Sequence, residues 1–82
     1  MQIGIYPNPT SDNITLNITT MERGVLKIQI YNVLGELISE QNERINSSED
    51  TYTVDVSNTT PGIYFVKASI KNNYFSTKFI KQ

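Results

Sequence analysis

The sequence predicts an all-β protein, with about seven short antiparallel strands in two sheets packed face to face. Three observations carry this reading. Polar and apolar residues alternate over most of the chain, and helical spacing is nearly absent. Turn-forming residues punctuate the alternation about every 8–12 residues, as in a sandwich or barrel. The chain has 82 residues, 38% of them hydrophobic and 18% charged, which suits one small globular domain spanning residues 1–82.

The elements follow in order. Pro7-Asn8-Pro9 breaks a first strand, because proline cannot donate to a ladder. Asn13–Thr19 then places Ile14, Leu16 and Ile18 on one face. Leu26, Ile28 and Ile30 repeat the pattern, with Lys27 and Gln29 opposite. Asn32-Val33-Leu34-Gly35 fits a type I turn with Gly35 in the left-handed position after it. Val33–Gln41 holds good helix formers, so a helical turn competes there, against Gly35 and the short length. Asn42–Asp50 reads as the one long polar loop and the most mobile part. Tyr52, Val54 and Val56 face inward on the next strand. Thr60-Pro61-Gly62-Ile63 fits a type II turn: proline presets φ, and glycine tolerates φ > 0. It launches a strand with Tyr64, Val66, Ala68 and Ile70 inward. A tight turn at Lys71-Asn72-Asn73 leads into the last strand. There Phe75, Thr77 and Phe79 face one way and Ser76, Lys78 and Ile80 the other.

Composition narrows the chemistry. No cysteine means no disulfide framework and no thiolate metal site. No histidine removes the commonest general base. A net charge of −1 gives no bulk basicity for nucleic acid. No apolar run approaches the ~20 residues of a membrane helix. No basic stretch followed by an apolar one opens the chain, so any export address at the other end lies in sequence outside it.

Candidate chemical groups have plain readings. Paired carboxylates can hydrolyse glycosides, but Glu49 and Asp50 are adjacent and point to opposite faces of a strand. Asn46–Asp50 is acidic, yet lacks the oxygen-ligand spacing of an EF-hand. Tyr6, Tyr31, Tyr52, Tyr64 and Tyr74 suggest a sugar-stacking platform, but tyrosine is a strand former and there is no tryptophan. Four Asn-X-Ser/Thr triplets are expected by chance in so asparagine-rich a chain. The charge layout says more. From Gly62 onward stand Lys67, Lys71, Lys78 and Lys81 with no acid. These lysines either protect an edge strand or offer a partner something to grasp.

Four blocks together resemble one family. Tyr6-Pro7-Asn8-Pro9 with Asn13-Ile14-Thr15-Leu16 resembles its opening, and Ile30–Ile38 its central hairpin, with Asn32 where aspartate is commoner. Pro61-Gly62-Ile63-Tyr64-Phe65-Val66 is similar to its most specific block, and Thr77-Lys78-Phe79-Ile80-Lys81 to its lysine-bearing end. The family is the type A C-terminal sorting domain of the type IX secretion system of Bacteroidota. One departure is Thr59, where the family often carries leucine.

The resemblance implies an immunoglobulin-like sandwich with no catalytic activity and no cofactor. It implies that cargo N-terminal to it reaches the periplasm by a separate signal. The domain then directs that cargo through the outer-membrane translocon, with shuttle and sortase components as partners. A sortase then removes the domain, leaving the cargo on the surface or outside the cell. On this reading Lys78, Phe79, Ile80 and Lys81 form the recognised signal. Pro61, Gly62, Tyr64, Pro7, Asn8, Pro9 and Gly35 scaffold it. Lys78 faces solvent, and Lys81, though on the Phe79 side, turns outward at the chain end. A surface adhesion or carbohydrate-binding sandwich is the alternative.

Overall fold

The computed structural model describes all 82 residues and contains seven strands and no helix. They are β1 (Gln2–Tyr6), β2 (Asn13–Thr19), β3 (Gly24–Asn32), β4 (Leu37–Ile45), β5 (Glu49–Asp55), β6 (Gly62–Ile70) and β7 (Asn73–Lys81). A three-stranded sheet runs β1-β2-β5 and a four-stranded sheet β4-β3-β6-β7, with every strand pairing antiparallel. The architecture is an immunoglobulin-like sandwich. Its fourth strand joins β3 rather than the β1-β2-β5 sheet, where the constant-type arrangement would place it.

Alternation makes the core. Ile14, Leu16 and Ile18 from one sheet meet Leu26, Ile28, Ile30, Val66, Ala68 and Ile70 from the other. Val54, Val56, Tyr64 and Phe79 complete the predicted inward set, with Tyr52 partly buried beside it. Burying an aliphatic side chain of this size contributes about 1.5–3 kcal/mol.

One expectation about the middle of the chain fails. Asn42–Asp50 is not a long loop. β4 runs on to Ile45, pairing Leu26 with Glu43 and Val25 with Arg44, and β5 begins at Glu49. Only Asn46–Ser48 is loop. An edge strand needs little apolar content on its solvent side, so its polar residues imitate a loop. Ile45, which is buried, is the anchor that the loop reading missed. At Val33–Gln41 the turn reading holds against the competing helical turn. Gly35 takes φ +82° and its N–H bonds the Asn32 carbonyl at 3.0 Å, closing the turn into β4. The Asn32 side chain fastens the same turn, accepting from Leu34 N–H at 2.9 Å and Glu36 N–H at 3.0 Å. A residue that bonds its neighbours' backbone in this way favours a turn over a helix.

The strands fix two poles. Gly62 pairs with Lys81 at one end of β6–β7, and Ile70 pairs with Asn73 at the other. Tyr6 leaves β1 toward the Lys81 pole, whereas Gln2 lies at the opposite pole beside Thr19.

Candidate functional site

The Tyr64 corner comes first, since it launches the strand that carries β7. The Tyr64 ring is buried and stacks on Phe79, centroids 5.7 Å apart and planes 21° from parallel. Its hydroxyl donates to the Thr60 carbonyl at 2.6 Å and lies 3.2 Å from Thr60 Oγ1. A tyrosine at the start of the sixth strand, bonding back to the preceding corner, is the tyrosine corner of such sandwiches. This corrects the turn assignment. The Thr60 carbonyl takes the tyrosine hydroxyl, not the Ile63 N–H that closes a type II turn. Gly62 is still required, because its φ of +152° suits glycine alone.

β7 pairs with β6 along its whole length, from Ile70–Asn73 to Gly62–Lys81. Alternation sorts its side chains as expected up to a point. Phe75 and Thr77 are half-buried, Phe79 is fully buried, and Ser76, Lys78 and Ile80 are exposed.

Lys81 does not turn outward. It is buried, and its Nζ donates to the Thr59 carbonyl at 3.0 Å. The expectation failed because a chain end stays free only when nothing ties it down. Here three bonds do. Thr10 N–H bonds the Ile80 carbonyl at 2.9 Å, Gln82 N–H bonds the Thr10 carbonyl at 2.7 Å, and Ile80 N–H bonds Asn8 Oδ1 at 2.9 Å. Pro7-Asn8-Pro9-Thr10 therefore leaves β1 and closes over the outer edge of β7, with Thr10 bridging Lys81 in parallel. Thr59, the family departure, is half-buried, and its carbonyl receives the lysine.

The lysines consequently differ. Lys67 is on interior strand β6, 5.2 Å from the Tyr74 ring centre. Lys71 occupies the β6–β7 turn, 3.6 Å from Glu22. Lys81 is buried, which leaves Lys78 as the exposed lysine on the edge strand. Backbone groups point to alternate sides along a strand. Since those of Ile80 point away from β6, so do those of Lys78, Ser76 and Tyr74, beyond the reach of the Asn8–Thr10 cover.

The tyrosines make no platform. Tyr6 stands on the β1-β2-β5 side, Tyr31 and Tyr74 on the outer face of the other sheet, and Tyr52 and Tyr64 inward. The Tyr52 hydroxyl donates to Asp50 Oδ2 at 3.1 Å. Burial, then that hydrogen bond and the negative charge of Asp50 and Glu43, push its pKa up to about 12. Asp50 also accepts from Thr51 N–H at 2.9 Å, and Asp55, held below the usual carboxylate range by bonds from Ser57, fastens the start of the β5–β6 connection.

A rigid two-sheet framework thus presents one edge strand whose inner side is locked and whose outer side is open. The chain belongs to the secretion-system C-terminal sorting domain family, whose model matches residues 4–82. It is also similar to the ulvan lyase NLR42 of Nonlabens ulvanivorans, 32% identical over 80 residues. That match covers 95% of this chain and 14% of the relative's length. The family is a non-catalytic sorting domain of the type IX system, joined to cargo N-terminal to it and exported to the cell surface or beyond.

Proposed function

We propose that this domain is the address that passes its cargo through the type IX outer-membrane translocon, with a sortase then removing it. The family match over residues 4–82 carries the reading, and the geometry of β7 supports it. Lys78 and Ile80 are the displayed residues, with Phe79 and Lys81 anchoring beneath. Pro61, Gly62 and Tyr64 set the course of the strand that bears β7. Pro7, Asn8 and Pro9 seal its end, and Gly35 closes the neighbouring hairpin. Cargo enters the periplasm by its own signal, and the shuttle then meets a domain already folded. Gln2, next to the cargo, and the Ile80–Lys81 end lie at opposite poles, so an attached passenger leaves the displayed end clear.

The test fuses a passenger enzyme ahead of residues 1–82 in a type IX-competent bacterium. The passenger is expected outside the cell, and the same fusion without Phe79–Gln82 is expected to stay inside. Retention of the intact fusion would overturn the reading.

A further inference from the structure

The outer face of the β4-β3-β6-β7 sheet is charged in one direction. Its strand positions carry Lys27, Arg44, Lys67 and Lys78, with Glu40 the single acid among them. Glu40 already accepts from Gln29 Nε2 at 2.9 Å. None of the four cations is paired, since the chain's one ion pair is Lys71–Glu22. The outer positions of β2 and β5 hold threonine, asparagine and acids, without a cation. Four of the seven basic residues of a domain of net charge −1 therefore share one sheet face.

The same cationic face carries apolar area. Register places Leu37, Tyr31, Phe65 and Lys78 side by side across all four strands, and Ile63 beside Ile80 in the next row. Leu37, Ile63, Phe65 and Ile80 are 50%, 44%, 39% and 45% exposed. Solvated sheet faces ordinarily alternate to polar residues. An apolar centre rimmed by polar charge is the anatomy of a protein interface.

We infer that this sheet face is a docking surface for a protein partner presenting carboxylates around an apolar centre. The inference rests on the sorting reading, which supplies the setting in which such a partner is met. It widens the recognised surface from the end of β7 to the whole sheet. Phe65, Ile63 and Ile80 form the buried centre of the contact, while Lys27, Lys67 and Lys78 steer and orient the encounter. An acidic partner fits because four unpaired cations repel a basic one and leave a neutral one nothing to pair with.

The test uses passenger fusions to the full chain. Lys27→Glu/Lys67→Glu/Lys78→Glu is compared with the milder triple Lys→Gln change and with Thr53→Glu on the opposite face. Export should fall at least about tenfold in the Glu triple and less in the Gln triple, and should hold in the Thr control. The thermal midpoint of each purified chain should match that of the parent, and the Gln triple decides the matter if the Glu triple unfolds. An exported parent with equally exported triple variants would overturn the docking surface and leave the sorting reading standing. A retained parent would remove the sorting reading itself and the inference with it. Flotation of the parent chain, but not of the Glu triple, with phosphatidylglycerol vesicles would overturn the acidic protein in favour of an anionic membrane.

Discussion

The two sides of the last strand differ more than their shared sequence suggests. Lys78 and Lys81 stand three residues apart in one lysine-bearing block. Lys78 is solvated on the outer face, whereas Lys81 is buried and spends its ammonium group on a backbone carbonyl. The strand period separates them: the first falls with Ser76 and Ile80, the second with Thr77 and Phe79. One side of the strand is buried and bonded, and the other is solvated and, on the proposed reading, the side that a partner meets. A motif that lists both lysines as one signal mixes two kinds of residue.

That division makes quantitative claims. The largest concerns Phe79, which is fully buried and stacked on Tyr64. Phe79→Ala should cost about 3–5 kcal/mol. In so small a domain that is a large part of a total near 5–15 kcal/mol, so urea unfolding should show a much lower midpoint. Gly62→Val comes next. It forces a β-branched residue to φ +152°, where the surroundings leave room but the backbone does not, at about 1–3 kcal/mol. Lys81→Glu turns a donor into a carboxylate facing the Thr59 carbonyl, and should lose about 1–3 kcal/mol by the same measurement. Lys81→Met keeps the buried stem and should lose less. An unchanged midpoint in Lys81→Glu would break the division between the two sides.

The smallest effect lies away from β7 and sharpens the comparison by contrast. Tyr52 is held protonated in the folded state, up to about pH 12. The unfolded chain loses that proton near pH 10, so between these values the folded state binds more protons and stability falls as pH rises. An ultraviolet titration should show a tyrosine step near pH 12. Tyr52→Phe should remove that late step and leave export unchanged.

Much of this arrangement was legible in the sequence. The alternation of Ile14, Leu16, Ile18, Leu26, Ile28 and Ile30 gave both inner faces, because a one-residue slip would expose every one of them. Gly35 and Gly62 announced left-handed backbone. Tyr64 was readable as an inward-facing ring, although the bond from its hydroxyl to the Thr60 carbonyl was not. What stayed hidden depends on long-range contact. The Asn8–Ile80 bond joins residues 72 positions apart, and no local pattern encodes it. Without that bond Lys81 looks like a free chain end. β4 was obscured for a different reason: its partner β3 supplies the apolar side, so an edge strand as polar as Ser39–Arg44 resembles a loop. The charged sheet face was also invisible in the composition. Its cations come from β3, β4, β6 and β7, and only the register brings them together.

Lys78→Glu puts the central claim to its most direct test, with unfolding and passenger export measured on the same fusion. If the outer side of β7 is for recognition alone, the unfolding free energy stays within about 0.5 kcal/mol of the parent while export drops severalfold. A stable variant exported as well as the parent would contradict it.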